Sequence, residues 1–282
     1  MQILLTVAYD GTAYAGWQRQ QNAIAVQQRL EEALFALLNR PIITKAASRT
    51  DAGVHAQCQR VAFFADDLRI PVDKLPQVLS GYLPADISVT AAQPVSDDFN
   101  PRFDAVYKTY TYNIFCAPSP NPLLRRYSAY VPRPLDMEAM SKAAAMFIGR
   151  HDFAAFQATG SSAKTTVREV YECSITGTSQ IFMDNAEFHG ERIFPHRTSH
   201  DLQGQEHAPE LVKLTMTGNA FLYNMVRIIA GTLLYVGLGK IAPEAIPDII
   251  HSKDRTKAGK TMPPQGLILL DVGYSRFCPK WC

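Results

Sequence analysis

Asp51 is the side chain most obviously placed to react. It lies in Ser48-Arg49-Thr50-Asp51-Ala52-Gly53-Val54-His55-Ala56, with Arg49 two positions before it and His55 four after. Gly53 can take positive φ without steric cost, so the backbone can turn tightly behind the carboxylate. Ile42 and Ile43 precede the stretch, and Val61, Phe63 and Phe64 follow it, which predicts a strand on each side. A carboxylate on a tight loop between strands is exposed at its tip and rigid at its base, which suits a reacting group. The plainer alternative is a turn in which Asp51 bonds only its own backbone.

Two further residues have chemistry in their settings. Arg227 falls early in an otherwise apolar helical pattern, after Gly218-Asn219-Ala220-Phe221-Leu222-Tyr223-Asn224-Met225-Val226. A buried guanidinium needs an acidic partner, unless it snorkels to solvent. Tyr110, in Lys108-Thr109-Tyr110-Thr111-Tyr112, is on an alternating strand. Such a ring is either core or a surface on which a planar base can stack, and Tyr112 shares its face. The segment Tyr14 to Gln20 is aromatic, polar and basic at once. It is either a surface loop around a packed Trp17 or an RNA contact in which Arg19 meets phosphate.

The elements that must hold these residues follow from periodicity. Ile3, Leu5, Val7 and Tyr9 alternate, predicting a half-buried strand over 2–9. Val26, Leu30, Ala33, Leu34, Leu37 and Leu38 recur at helical spacing, predicting a helix over 25–39. The strands around Asp51, a short helix near Leu75–Leu79 and a strand at Ile87–Ala91 then give the order β-α-β-β-α-β. That order, with no Rossmann glycine pattern, predicts a split β-α-β sandwich of helices on an antiparallel sheet. A boundary falls at Asn100-Pro101-Arg102-Phe103-Asp104, dividing an N-terminal half, 1–104, from a C-terminal half, 105–282.

The second half opens with a strand over 105–115, followed by a proline-rich loop, 118–134, carrying Arg125, Arg126 and Arg133. A helix capped by Asp136 comes next. In His151-Asp152-Phe153-Ala154-Ala155-Phe156 the aromatics suit a core, and His151 suits a structural cap or hydrogen-bond partner. Strands follow at 165–175 and 211–217. Met225, Ile228, Ile229, Leu233 and Val236 line a helix ending at Gly237 or Gly239, and a short helix near 245–251 precedes a last strand at 267–272. Residues 178–210 hold four histidines, His189, His196, His200 and His207, in a polar, irregular context that predicts a mobile loop rather than a metal site.

At 282 residues the chain is long enough for one large domain or two ordinary ones. No apolar run reaches the roughly 18 residues of a membrane span, and the first residues form no signal peptide. Cytoplasmic residence is the expectation. Five scattered cysteines suit reduced thiols rather than disulfides, and Cys278 and Cys282 lack the second pair that structural zinc requires. A net charge of +2 and a pI near 8.2 show no global nucleic-acid footprint, so any RNA contact must come from local basic patches.

The string SRTDAGVHA resembles the signature of the TruA family of tRNA pseudouridine synthases. YDGTAYAGWQRQ, KTYTY, HDFAAF, NAFLYNMVR and the late PPQGL resemble further motifs of that family, in family order. The resemblance implies an α+β fold of two ferredoxin-like halves sharing an extended antiparallel sheet, with the active site in a central cleft. It implies isomerisation of uridine to pseudouridine at nucleotides 38, 39 and 40 of the tRNA anticodon stem-loop, by a homodimer without cofactor or metal. Asp51 matches the catalytic residue, Arg227 the arginine that pairs with it, and Tyr110 the active-site tyrosine. Arg49, His55, Arg19, Tyr112 and Leu267 are the accompanying substrate-binding candidates, with Arg102 and Arg125-Arg126 on loops suited to gripping RNA. Two other functions use the same residues: a catalytically idle tRNA-binding protein or chaperone, and a base-releasing glycosylase.

Overall fold

The computed structural model describes residues 1–65, 68–161, 163–178, 187–188, 191–192 and 210–275. The histidines of 178–210 and the cysteines Cys278 and Cys282 lie outside the described residues. In chain order the strands and α-helices are β1 (Gln2–Tyr9), α1 (Val26–Leu38), β2 (Lys45–Ala46), β3 (His55–Phe64), α2 (Leu75–Leu79), β4 (Ile87–Val95), β5 (Tyr107–Cys116), β6 (Ala129–Val131), α3 (Met137–Ala145), β7 (Gly149–Asp152), β8 (Val167–Thr178), β9 (Glu187–Phe188), β10 (Glu191–Arg192), β11 (Glu210–Gly218), α4 (Met225–Gly237), α5 (Ile246–Ser252) and β12 (Leu267–Gly273).

Ten strands form one sheet in the order β4-β1-β3-β12-β5-β11-β8-β7, with β2 beside β3 and β6 beside β5. The chain traces one pattern twice. In the first half β1, α1, β2, β3, α2 and β4 give the order β4-β1-β3-β2, antiparallel throughout. In the second, β5, α3, β8, β11, α4 and β12 give β12-β5-β11-β8, again antiparallel. The join is β12 lying parallel to β3, with Ile268 opposite His55 and Leu269 opposite Ala56. β3 therefore has two neighbours on one edge. β2 pairs at Val61 and Ala62, while β12 pairs at the other end of the strand. Between these two contacts the sheet opens, and the chain leaving β2 crosses this gap, with Ser48 against Gln59, before the Asp51 loop joins β3 at His55.

The helices pack as their patterns dictate. α1 buries Val26, Leu30, Ala33 and Leu34, and ends where Asn39 turns left-handed. Asp136 caps α3, its carboxylate accepting from the Ala139 N–H at 2.9 Å. α4 is buried on nearly all sides, its apolar residues continuous with one core that runs through both halves. Phe153 and Phe156 are core, and His151 bonds the Ile148 carbonyl at 3.0 Å.

Two expectations need correction. Ile42 and Ile43 form no strand. The paired segment before the loop is only Lys45–Ala46, opposite Ala62 and Val61, and Ile43 is 82% exposed; Thr44 just before it turns its N–H and hydroxyl to the Glu31 carboxylate of α1, at 3.1 Å each, instead of continuing along β3. β1 is buried on both faces rather than one. It lies between β3 and β4, and its second face is closed by long side chains, such as Arg60 donating to Thr6 Oγ1 at 2.7 Å.

Candidate active site

The Asp51 loop is braced from both ends. The Val54 N–H donates to the Asp51 carbonyl at 3.1 Å, closing a turn in which Gly53 has φ +78°. From one side the opening segment of the chain straps the loop down. Trp17 N–H donates to the Thr50 carbonyl at 3.0 Å, Gly53 N–H to the Tyr14 carbonyl at 3.2 Å, and the Tyr9 and Thr50 hydroxyls meet at 2.7 Å. This approach needs glycine at position 16, where φ is +94° and a Cβ would stand 2.5 Å from the Thr50 carbonyl oxygen. From the other side the buried Gln59 amide closes on Ser48, accepting its N–H at 3.2 Å and donating to its carbonyl at 2.8 Å.

Arg227 reaches this loop from the first turn of α4, where the helix dipole disfavours a cation. Three acceptors offset that. Nε donates to the Met262 carbonyl at 2.7 Å, and Nη1 donates to Asn224 Oδ1 at 2.6 Å and to Asp51 Oδ2 at 3.4 Å. The arginine side chain is 14% exposed, so it is paired rather than snorkelling, and that of Asp51 is 31% exposed. Asn224 precedes the helix in left-handed conformation and spends its side chain on Arg227 instead of on a helix cap. Burial raises the Asp51 carboxyl above its ordinary value, and the charge and hydrogen bond of Arg227 offset this only in part. The pair therefore opposes burial without depressing the carboxyl outright.

Tyr110 extends from β5 toward the same loop. Its hydroxyl meets Ser48 Oγ at 2.7 Å, and its ring stands edge-on to Phe221 with centroids 5.2 Å apart. Burial pushes the phenol up to about 12; the Ser48 hydrogen bond opposes this and the Asp51 charge adds to it. Ser48, Asp51, Tyr110 and Leu267 line one cleft of about 1130 Å³, larger than the roughly 300–1,000 Å³ of an ordinary small-molecule pocket. Asp51 is the one acidic residue among the described residues along it. Lys45, Arg49, Arg102, Lys108, Lys164 and Arg168 supply cations. A cleft with that imbalance attracts a polyanion. A smaller hollow of about 410 Å³ reaches Asp51 from the side of Arg19 and Arg49.

The other predicted residues divide. Arg49 is exposed and lines both openings. Arg19 lies beside the smaller one and pairs with Glu31 at 3.3 Å. Trp17 is packed in the core, so this segment both buries its ring and presents an arginine. His55 and Tyr112 are not along the cleft. His55 is buried, with Nδ1 accepting from the Gly11 N–H at 3.0 Å and lying 3.1 Å from Asp10 Oδ1, and Nε2 bonding the Arg126 carbonyl at 2.7 Å. It ties three loops together, because β3 begins at His55 and turns that side chain inward. Tyr112 is fully buried, and its hydroxyl donates to the Pro263 carbonyl at 2.7 Å, which holds the turn leading to Leu267 from behind. Arg125 and Arg126 are exposed but outside the cleft lining. Gln59, Asn224 and Lys108 carry weight that the sequence reading missed. Lys108 and Asn224 stood in motifs singled out there, whereas Gln59 did not.

Among the described residues, no helix is long and apolar enough to cross a membrane, and no three His, Cys, Asp or Glu side chains gather as a metal site. Cys58, Cys116 and Cys173 are free thiols.

Fold and site together define an α+β protein with a half-buried, arginine-paired carboxylate, alone among the described residues of a cationic cleft between two similar halves. The family described as tRNA pseudouridine synthase matches residues 5–104 and 143–275. The chain is 44% identical to tRNA pseudouridine synthase A of Caldicellulosiruptor bescii over 272 residues, covering 96% of this chain and 99% of that protein. It is 42% identical to proteins of the same name from Thermoanaerobacter sp., at 96% and 99% coverage, and Ruminiclostridium cellulolyticum, at 97% and 99%. The chain belongs to the tRNA pseudouridine synthase family.

Proposed function

We propose that this protein isomerises uridine to pseudouridine in tRNA, at positions 38, 39 and 40 of the anticodon stem-loop, with Asp51 as the reacting carboxylate. The observation that carries this reading is the Asp51–Arg227 pair in a cleft otherwise lined by cations. RNA is drawn in by the cations, and the lone anion stands where a base turned out of the stem would arrive. A target beside a helical stem must be extruded before it is reached.

The reaction is an internal exchange. The N1–C1′ bond breaks, the freed uracil rotates, C5 bonds to C1′ and loses its proton, and N1 gains one. One carboxylate suffices for this, whereas ordinary glycoside hydrolysis uses two placed across the bond. Asp51 supplies negative charge to C1′ or C6 of the base, or assists elimination from the ribose. Arg227 orients it. Tyr110 offers its ring to the uracil, and its phenol stays protonated at neutral pH. It can therefore take a proton from C5 only by passing its own to Ser48, whose hydroxyl proton leaves to solvent in turn. The apolar Leu267 and Phe221 beside it keep water from the freed base, which would otherwise leave as uracil.

Tritium release from tRNA labelled at uridine C5 tests this directly, with Asp51→Ala in parallel. Release by the wild type alone, without free uracil, is the expected result. Free uracil would indicate a glycosylase, and tight binding without release an idle tRNA chaperone. The resemblance that suggests positions 38–40 also suggests a cytoplasmic homodimer. Sedimentation of the free protein at one protomer mass would remove the dimer from this reading.

A further inference from the structure

Near the cleft mouth is a built feature that the reaction at Asp51 leaves unused. Asn100 Oδ1 accepts the backbone N–H groups of Arg102 at 3.0 Å and Phe103 at 3.3 Å. Asp104 Oδ2 accepts the Asn100 N–H at 2.8 Å, and the Tyr274 hydroxyl donates to the Pro101 carbonyl at 3.0 Å. The turn is thus tied at four points, yet it holds the Phe103 ring 77% exposed along the cleft. A single exposed apolar residue needs no special explanation. This one has company that does.

The Arg102 guanidinium lies over the Phe103 ring, 5.6 Å from its centroid. Lys108, also along the cleft, donates from Nζ to the Ala47 carbonyl at 2.6 Å, which leaves two of its three donors for another acceptor. Burial and the nearby charge of Arg102 lower its ammonium to about 8. Neither cation pairs with a carboxylate among the described residues. Lys108 is part-buried beside the exposed charge of Arg102, and an anion between them would relieve both its desolvation and their repulsion. An aromatic face beside them matches the other part of a nucleotide.

We propose that Phe103, Arg102 and Lys108 form a nucleotide subsite for the RNA strand flanking the uridine at Asp51. The ring stacks on a neighbouring base, and the two cations hold the phosphate of that nucleotide. This rests on the reading of the cleft as an RNA site.

The test uses the full-length protein and an RNA stem-loop that the wild type modifies. 2-Aminopurine replaces the bases flanking the target uridine, one at a time. Wild type and Phe103→Tyr should quench one position, and Phe103→Ala should not. Phe103→Ala should weaken binding roughly 5- to 150-fold at every salt concentration, the range expected for one stacked base, with an unchanged salt slope. Arg102→Gln and Lys108→Gln should each reduce the slope of log K against log salt by roughly 0.7 to 1. Normal quenching by Phe103→Ala, or altered sedimentation of that variant without RNA, would overturn the subsite, the latter by assigning the ring to a protein contact. Absence of wild-type turnover and binding would instead overturn the RNA reading itself.

Discussion

At the scale of single residues, the Asp51–Arg227 pair is an unequal one. Burial raises the carboxyl and Arg227 recovers only part of the cost, so the folded protein binds the Asp51 proton more tightly than the unfolded chain does. In the window between the ordinary carboxyl value and the raised one, wild-type stability falls as pH rises, and above that window the cost is fully present. Asp51→Asn should therefore abolish tritium release while melting no lower than wild type at pH 7. The stability gap between the two should close as pH drops through the raised value; a clearly lower melting temperature for Asp51→Asn at pH 7 would contradict this. Wild-type kcat/KM should fall on the acid side at a pH above the ordinary carboxyl range. Arg227→Gln should move that limb further up and reduce turnover by about 10²-fold, as loss of an aligned charged donor does elsewhere. It should also cost roughly 1–3 kcal/mol in urea titration, because Asn224 Oδ1 and the Met262 carbonyl lose a charged donor.

At the scale of elements, the loop owes its position to segments far away in sequence. The opening turn binds Thr50 and Gly53 through backbone atoms of Tyr14 and Trp17, which requires close approach at Gly16. Gly16→Ala would place a methyl group against the Thr50 carbonyl at an unfavourable φ. A cost of roughly 1–3 kcal/mol is expected from such strain. Turnover should fall more than binding, since RNA contacts on the cleft walls remain while Asp51 shifts. Thermal melts with separate kcat and KM measurements would decide; a variant impaired only in KM would mean that the strap does not position the carboxylate.

At the scale of the molecule, β12 makes one sheet out of two similar halves. The last strand among the described residues pairs with β3 beside the Asp51 loop and with β5 at Tyr110, and one core passes through both halves. Urea unfolding should accordingly be a single transition by tryptophan fluorescence and far-ultraviolet circular dichroism. Two separated transitions would mean that residues 1–104 and 105–282 fold as independent units. The cleft exists only because β2 and β12 take opposite ends of one strand edge.

Much of this was legible in the residues alone. Periodicity located α1, β1 and α4, since apolar residues recurring at helical or strand spacing mark a surface that must be buried. The resemblance of SRTDAGVHA to a known signature singled out Asp51, and Gly53 marked its turn. What sequence could not supply was direction. His55 and Tyr112 lie in motif strings beside reacting residues, yet both side chains point into the protein and act as struts. Gln59 and Asn224 carry no signal of their own, because their value lies in which carbonyl or guanidinium a distant segment brings within hydrogen-bond reach. Ile42 and Ile43 have strand-forming side chains, but the next residue, Thr44, gives its N–H and hydroxyl to Glu31 of α1, and the pairing with β3 starts only at Lys45. Local pattern determined which elements form and which carboxylate is presented. Only the packing of the two halves decided which neighbours face that carboxylate, because hydrogen bonds and burial act across space regardless of sequence distance.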